Sequence, residues 1–271
     1  MRSLETRALL MTKLEKPSAM DHLETIVRDS DAVMVARGDL GVELPPEKVP
    51  GSQIRIIRSC RQHGKPTIVA TQMLESMIGA PTPTRAEASD VATAIYEGAD
   101  AVMLSAESAS GAYPVEAVSM MNRIIVEVES DPLYSQMINA QQEIRQETDS
   151  DAICLAMRSV SQGIKAAVNV TYTETGSTSL RTARGRPDAP ILSITPYLQT
   201  ARRLALAWGV HSTLLDHSIH DVDDMVDAAC RTAYEEGFAE PGDSLTIVGG
   251  MPFGSCGTTN LLRTAVMPPV K

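Results

Sequence analysis

Three ionisable residues near the start of the chain have the types and spacing for metal-assisted chemistry on an anion. Lys13 and Glu15 follow one apolar segment, and Asp39 follows the next. Two residues apart on an extended chain, Lys13 and Glu15 point to the same side. If the two segments are adjacent strands, the carboxylates of Glu15 and Asp39 converge and offer the hard oxygen ligands that Mg²⁺ prefers. A lysine beside such a site can neutralise a phosphoryl or enolate oxygen.

The residues around Asp39 are candidates for binding a carboxylate. Gly38 permits close backbone approach, the amides of Gly38 and Asp39 could receive a carboxylate, and Thr71 supplies a hydroxyl after the next apolar segment. Two other interpretations stay open on these residues alone. The Arg-Gly-Asp sequence could be a solvated loop tip or an integrin-type tripeptide. The two carboxylates could instead form surface salt bridges with Lys16 and Arg37.

Alternating apolar and helix-like segments must position these residues. The predicted strands are Ala8–Met11, Ala32–Ala36, Thr67–Ala70 and Ala101–Leu104. The predicted helices are Ser18–Arg28, Pro46–His63, Thr84–Glu97 and Pro114–Glu129. A strand followed each time by a helix is typical of a parallel sheet or barrel. All four strands end in polar or ionisable residues, and βα folds gather their sites at that carboxyl edge, so we expect an active site there.

The second half of the chain is predicted to be a separate α/β domain, which follows a polar helical connector between Asp131 and Asp151. Its predicted strands are 166–173, Ile191–Ile194, Ser212–Leu215, Ser244–Val248 and Leu261–Val266. Its predicted helices are Ala152–Ala166, Ser179–Arg184, Gln199–Trp208 and Val222–Gly237. No helix separates the last two strands, so we predict that they are antiparallel.

A loop rich in hydroxyl groups joins a strand to a helix in this second half. Its candidate anion ligands are Thr173, Thr175, Gly176, Ser177 and Thr178. Hydroxyls and a glycine at a helix N-terminus form a generic anion site. Ordinary helix capping by serine and threonine explains the same residues, and the sequence leaves both interpretations open.

Composition argues against several classes of protein. The 271 residues carry a net charge of −10 with a pI near 5.0, which argues against a nucleic-acid surface. No run of about 18 apolar residues predicts a membrane span, and the first residues show no secretory signal. The cysteines fit neither a zinc spacing nor a disulfide framework, so we predict reduced thiols in a cytoplasmic protein. They are Cys60, Cys154, Cys230 and Cys256.

Several motifs in the chain resemble those of pyruvate kinases. They are KLEK, VMVARGDLGVELPPEKVP, TQMLES followed by PTPTRAE and SDVA, GAYPVEAV, TYTETGSTSLRTARGRPDAPILSITP and GTTNLLRTAVMP. The block from TQMLES to SDVA is highly specific to that family, and the resemblance covers essentially the whole chain. It implies a glycolytic kinase that transfers the phosphoryl group of phosphoenolpyruvate to ADP, giving pyruvate and ATP, with Mg²⁺ (or Mn²⁺) and K⁺.

The resemblance also implies roles for the candidate residues. Lys13 would neutralise the transferring phosphoryl group and the developing enolate, while Glu15 and Asp39 would bind the divalent ion. Gly38, Asp39 and Thr71 would orient the substrate carboxylate, with Thr71 also near the face where the enolate is protonated. The hydroxyl-rich loop of the second half would hold a phosphate of an allosteric effector, and the family's tetramers imply a homo-oligomer.

The chain departs from the family pattern in several places. Lys16 stands where many relatives have Asn, SAESASG replaces a commoner SGETAKG-like stretch, and GGMPFGSCG lacks the arginine or tryptophan that grips a second phosphate. Arg37 is expected to brace its loop rather than touch substrate. A complete (β/α)8 barrel needs eight strands and about 250 residues, but only four βα units fit before residue 133. The first strand matches the family's fifth, and motifs for the K⁺ ligands and the lid do not occur.

We therefore expect an α/β protein that corresponds to the C-terminal portion of a pyruvate kinase. Residues 1–133 are predicted to form the last four βα units of a TIM barrel, and residues 134–271 the C-terminal regulatory and assembly domain, with about five strands. We expect weak or no activity from this chain alone. Two alternatives are a non-catalytic effector-binding remnant and a Mg²⁺-dependent, enolate-forming lyase on a related barrel, although the TQMLES block speaks against the lyase.

Overall fold

The computed structural model describes residues 8–140, 148–215, 219–252 and 258–269. The chain divides into two compact units, Met1–Glu143 and Ile144–Lys271. Each unit contains one β-sheet and its own helices. None of the helices in the described ranges is long and apolar enough to cross a membrane.

The first unit alternates strands and helices around a parallel sheet. Its strands are β1 (Met11–Leu14), β2 (Ala32–Ala36), β3 (Thr67–Ala70) and β4 (Ala101–Met103). Its helices are α1 (Pro17–Asp21), α2 (Leu23–Asp29), α3 (Arg37–Glu43), α4 (Val49–His63), α5 (Arg85–Tyr96), α6 (Ala106–Ala109), α7 (Pro114–Ser130) and α8 (Pro132–Ala140), with 3₁₀ turns at Pro46–Lys48 and Glu75–Ile78. The strands pair in the order β1-β2-β3-β4, all parallel, which confirms the predicted βα alternation.

Two local predictions in this unit are wrong, and one interpretation that the sequence left open is excluded. The first strand is predicted at Ala8–Met11 but occupies Met11–Leu14, because pairing with β2 fixes its position and local hydrophobicity does not. The predicted helix Ser18–Arg28 is two helices, α1 and α2, which meet at His22 with φ −118° and ψ 20°. The Arg-Gly-Asp sequence is not a loop tip, because it forms the first turn of α3.

The core of the first unit lies between its sheet and its helices. Val33, Val35 and Val69 of the sheet pack into one buried cluster with Ile56 of α4 and Val91 of α5. These side chains are fully buried, and burying a valine or isoleucine stabilises a fold by roughly 1.5–3 kcal/mol. This packing holds the carboxyl ends of the strands in fixed positions relative to one another.

The second unit is also an α/β structure. Its strands are β5 (Val168–Tyr172), β6 (Ile191–Thr195), β7 (Val210–Leu214), β8 (Ser244–Gly249) and β9 (Leu261–Val266). Its helices are α9 (Asp149–Ile164), α10 (Ser177–Arg184), α11 (Leu198–Leu204) and α12 (Val222–Glu235). The strand order is β7-β6-β5-β8-β9, and β9 runs antiparallel to β8, as predicted. The helix predicted at Gln199–Trp208 ends earlier, at Leu204.

The described cysteines are buried and free. Cys60, Cys154 and Cys230 form no disulfide. Burial raises the pKa of Cys60 to about 12 and that of Cys154 to about 11. Both thiols therefore stay protonated at neutral pH and are poor nucleophiles. Cys256 lies outside the described residues.

Candidate active site

The carboxyl ends of β1 and β2 bring three of the predicted site residues together. Lys13 lies in β1, Glu15 directly follows it, and Asp39 lies in the first turn of α3, which follows β2 without a spacer. Nζ of Lys13 is 2.8 Å from Oε2 of Glu15 and 2.6 Å from Oδ2 of Asp39. Both carboxylates therefore face one point, although their residues are 24 positions apart in the chain.

The electrostatics of this cluster keep Lys13 charged. Hydrogen bonds to Asp39, and then to Glu15, raise the pKa of the Lys13 ammonium above its usual range. The Lys13 and Asp39 side chains are about half exposed, 49 % and 52 %, and exposed ion pairs contribute little to stability. Stabilisation of the fold therefore does not explain why these three charges lie together. Their exposure leaves them accessible to a ligand.

The donor set of Glu15 and Asp39 fits a hard divalent cation. Two carboxylates can fill part of an octahedral shell, and water or substrate oxygens fill the rest. Among the described residues there is no group of three or more His, Cys, Asp or Glu side chains that could hold a metal. A metal bound by this pair alone would therefore be held weakly until substrate adds its own ligands. No alternative salt bridge with Lys16 or Arg37 competes, since both carboxylates pair with Lys13.

A hydrogen bond links the ends of β2 and β3 beside this cluster. The backbone N–H of Gly38 donates to Oγ1 of Thr71 at 2.8 Å, and that hydroxyl donates to the carbonyl of Ala70 at 2.6 Å. A Cβ at Gly38 would lie 3.3 Å from Oγ1 of Thr71, so Gly38 permits this close approach. The Gly38 amide, predicted to receive a substrate carboxylate, is thus already bonded to Thr71.

Thr71 is held in an unusual backbone conformation. Its φ is +70°, and the next residue, Gln72, has φ +55°. For a β-branched residue a left-handed conformation costs about 1–3 kcal/mol and persists only where surrounding contacts impose it. Strain of this kind clusters at functional sites. Contacts around the turn after β3 must therefore hold Thr71 in this conformation.

Arg37 provides the main brace for this turn. One guanidinium nitrogen lies 2.6 Å from a carboxylate oxygen of Asp90 on α5, and the other donates to the carbonyls of Thr71 (2.7 Å) and Gln72 (3.2 Å). Only 10 % of the Arg37 side chain is exposed. The predicted bracing role of Arg37 agrees with these contacts. Asp90 was not singled out from the sequence, because its partner lies 53 residues away and no local pattern marks the pair.

A buried carboxylate supports the same region. Glu107, only 2 % exposed, accepts hydrogen bonds from the backbone N–H groups of Ser105 (2.7 Å) and Leu74 (3.3 Å). It therefore ties the segment after β4 to the segment after β3. The sequence shows Glu107 as one more acidic residue at a strand end. Its burial is a tertiary property that composition does not reveal.

The hydroxyl-rich loop of the second unit is largely satisfied by its own contacts. Oγ1 of Thr173 accepts the Gly176 N–H at 2.9 Å, and the Thr178 hydroxyl bonds to that of Thr259 at 2.8 Å. Thr173 and Thr178 are both buried. The hydroxyls of Thr175 and Ser177, 3.2 Å apart at the start of α10, are more accessible. Of the five predicted effector ligands, these two are the ones best placed to meet a solute.

Comparison with known proteins identifies both units. The family model described as "Pyruvate kinase, barrel domain" matches residues 2–118, and the one described as "Pyruvate kinase, alpha/beta domain" matches residues 151–265. A pyruvate kinase of Methylorubrum extorquens is 54 % identical over 259 residues, which cover 96 % of this chain and 54 % of that protein. One of Agrobacterium vitis is 53 % identical and is matched over 95 % of this chain and 54 % of its own length.

A solved structure agrees with these sequence matches. The crystal structure of a pyruvate kinase from Cryptosporidium parvum superposes with a TM-score of 0.88 at 36 % identity, covering 96 % of this chain and 52 % of that one. The chain thus spans about half the length of the relatives it matches. With both of its units matched by family models and by relatives at this identity, the chain belongs to the pyruvate kinase family.

Proposed function

We propose that the chain provides the carboxyl-edge chemistry of a glycolytic pyruvate kinase, which transfers a phosphoryl group from phosphoenolpyruvate to ADP and yields pyruvate and ATP. In this proposal residues 1–133 form the last four βα units of a (β/α)8 barrel, and residues 134–271 lead into and form the C-terminal domain. The observation that carries it is the meeting of Lys13, Glu15 and Asp39 at the ends of adjacent parallel strands. Active sites of βα folds lie at this edge.

Lys13 acts in this proposal as a fixed positive charge. Hydrogen bonds to Asp39 and Glu15 raise its pKa, so the ammonium is charged in the chain without ligands. Its ammonium can bind an oxygen of the transferring phosphoryl group and the oxygen where enolate charge develops. Such an interaction is strongest when that charge is largest, which lowers the barrier more than it tightens ground-state binding.

Glu15 and Asp39 are the residues that would hold Mg²⁺ or Mn²⁺. The ion, when bound, supplies positive charge that offsets the charge of the phosphoryl oxygens. Each carboxylate now accepts a hydrogen bond from Nζ of Lys13, so Glu15 and Asp39 would have to give up these bonds in order to hold the ion. We expect Lys13 to turn from the carboxylates toward the anionic substrate when both ligands are present.

Gly38, Asp39 and Thr71 are proposed to orient the substrate carboxylate. The Thr71 hydroxyl holds the Gly38 amide and points its hydrogen at the Ala70 carbonyl. A substrate must therefore redirect this hydroxyl before Thr71 can donate to it or lie beside the carbon that is protonated. The strained φ of Thr71 and the brace from Arg37 keep the hydroxyl at this position.

Further features of the family belong to the same proposal. They are assembly into a homo-oligomer through the second unit, a cytoplasmic location and a phosphorylated effector bound at the Thr175 and Ser177 hydroxyls. The family also uses K⁺, but the motifs for its ligands do not occur in this chain. The exposure of these two hydroxyls at the start of α10 supports the effector. Effector binding without catalysis is the second candidate function for the chain on its own.

A coupled assay of pyruvate formation tests the proposal. The chain is assayed alone and fused behind the N-terminal half of the Methylorubrum extorquens pyruvate kinase, which supplies the remaining barrel strands. We expect little or no turnover from the chain alone and ADP-dependent turnover from the fusion. A fusion that folds but forms no pyruvate would overturn the proposal. A carbonyl product made without ADP would indicate lyase chemistry instead.

A further inference from the structure

Three charged side chains hold the segment after β3 (residues 71–78), which carries Thr71 at its start. Arg37 donates to the carbonyl of Thr71. Glu107 accepts the backbone N–H of Leu74, in the middle of the segment, at 3.3 Å. The third side chain comes from α5 and holds the other end of the segment.

Glu87, in the first turn of α5, is this third side chain. Its Oε1 accepts the backbone N–H of Ser76 at 2.7 Å, and its Oε2 accepts the Ser76 hydroxyl at 2.5 Å. Oε2 also accepts the backbone N–H and the hydroxyl of Thr84, at 2.7 and 2.8 Å. The bonds from Thr84 fix the carboxylate at the start of the helix, so Glu87 holds Ser76 at a fixed distance from α5.

The same helix supports both ends of the segment after β3. Asp90 forms the salt bridge that orients Arg37, whose other nitrogen reaches the carbonyl of Thr71. Glu87 and Asp90 are three residues apart, so they lie on the same face of α5. Neither Thr71 nor Ser76 can move relative to this helix without loss of a hydrogen bond to a charged group, and such bonds are among the stronger ones in proteins.

The backbone of Thr71 requires support of this kind. Thr71 and Gln72 have φ values of +70° and +55°, and left-handed conformations of residues other than glycine persist only where surrounding contacts impose them. We infer that Glu87 is a positioning residue for Thr71, because it keeps the segment after β3 in the conformation that places the Thr71 hydroxyl beside the amide of Gly38. The inference rests on the proposed function, in which Thr71 orients the substrate.

The backbone N–H of Gly38 reports the position of Thr71. Gly38 is the second residue of α3, and the first four N–H groups of a helix have no partner within the helix. The bond to the Thr71 hydroxyl, at 2.8 Å, therefore protects this hydrogen from exchange with deuterated solvent. The backbone N–H of Thr67 is a matched control at the opposite end of β3, because it too donates to a side chain, that of Asp100, at 2.9 Å.

Glu87→Gln is the test variant, because it keeps the shape of the side chain but replaces one acceptor oxygen by an NH₂ group. Oε1 faces the N–H of Ser76 and Oε2 faces that of Thr84, so the new NH₂ group meets a donor in either orientation. In the full chain at neutral pH, we expect NMR to show that Gly38 exchanges about tenfold faster, relative to Thr67, than in wild type.

Two further substitutions separate the position of this segment from general stability. Ser76→Ala loses only the hydroxyl bond to Glu87 and should give a smaller increase in Gly38 exchange, while Ser76→Thr keeps the hydroxyl and should match wild type. Glu116→Gln, at the equivalent position of α7, should leave Gly38 unchanged. Equal acceleration of Gly38 and Thr67 in Glu87→Gln, or no acceleration of either, would overturn the inference.

Turnover of the fused enzyme gives the second readout. Glu87→Gln should lower kcat by about tenfold, because small misplacements of orienting groups are costly, while Mn²⁺ affinity stays that of wild type, since Glu15 and Asp39 are untouched. A kcat within twofold of wild type would overturn the inference. A wild-type fusion that forms no pyruvate would refute the proposed function, and Gly38 exchange would still decide whether Glu87 positions Thr71.

Discussion

The carboxylate of Glu87 offers a quantitative test of how the strand-end turns are held in place. Glu87 is the third residue of α5 and forms a capping box with Thr84, whose backbone N–H and hydroxyl donate to Oε2 at 2.7 and 2.8 Å. Ser76, in the segment after β3, donates to the same carboxylate through its backbone N–H (2.7 Å) and its hydroxyl (2.5 Å). Glu87 thus joins the start of α5 to the segment that follows the site turn at Thr71.

The contribution of Glu87 to the free energy of unfolding follows from its pKa. Burial alone would raise this pKa, but hydrogen bonds from Ser76 and Thr84 outweigh burial and lower it from 4.5 to about 2. At about 1.36 kcal/mol per pKa unit the nominal contribution of the ionised form is roughly 3 kcal/mol. Screening by solvent at this partly exposed position reduces it. We expect Glu87→Gln to lower the free energy of unfolding by about 1–2 kcal/mol at neutral pH.

The pH dependence of this contribution to stability has a defined sign. The pKa of Glu87 is depressed by folding, so its contribution is fully present above about pH 5 and is lost as the pH falls through 4.5 toward 2. By pH 3 the difference between wild type and Glu87→Gln should fall to about 40 % of its neutral value. Urea unfolding followed by far-UV circular dichroism measures this difference. Fluorescence of Trp208, the one tryptophan, reports the second unit and should not change.

Glu116→Gln is a matched control. Glu116 is also the third residue of a helix, α7, but it is exposed, and the residue that precedes this helix makes no side-chain capping bond. Its loss should cost only the favourable interaction of one charge with the helix dipole, about 0.3–1 kcal/mol. Equal losses for the two variants, or a Glu87→Gln difference that is the same at pH 3 and pH 6, would refute the reasoning.

Three other predictions follow from the sites. Titration with Mn²⁺, followed by water-proton relaxation, should show weak binding to the chain and no binding to the Glu15→Gln/Asp39→Asn double variant. Equal binding by both proteins would show that Glu15 and Asp39 are not the metal ligands. In the fused enzyme Lys13→Met should lower kcat far more than it raises KM, and the exposed control Lys48→Met should do neither; a Lys13→Met enzyme within twofold of wild type would contradict the assigned role. A lysine at position 37 cannot bridge Asp90 and two carbonyls at once, so Arg37→Lys should lower the free energy of unfolding by about 1–3 kcal/mol. In an Asp90→Asn background the same substitution should cost much less, because the ion pair is already lost. Additive losses would show that the two residues act separately.

Residue order alone determines the alternation of elements and the edge at which the chemistry lies. Runs such as Ala32–Ala36 and Thr67–Ala70 consist almost entirely of apolar residues, which predicts strands buried on both faces. The amphipathic segments between them are then expected to cover those strands. In such a sheet every strand ends at the same edge. The meeting of Lys13, Glu15 and Asp39 was therefore predictable from periodicity, and the motifs around them pointed to the family.

Only the tertiary structure decided which partner each of these groups takes. The Gly38 amide donates to the Thr71 hydroxyl, and Arg37 forms a salt bridge with Asp90. The buried Glu107 carboxylate accepts hydrogen bonds from two backbone N–H groups. The position of β1 itself shifted toward Lys13, because a strand is placed by hydrogen bonds to its neighbour. Hydrophobic periodicity is a local property of the chain. Hydrogen-bond partners, backbone strain and burial depend on segments more than 30 residues apart that become adjacent only when the sheet has formed.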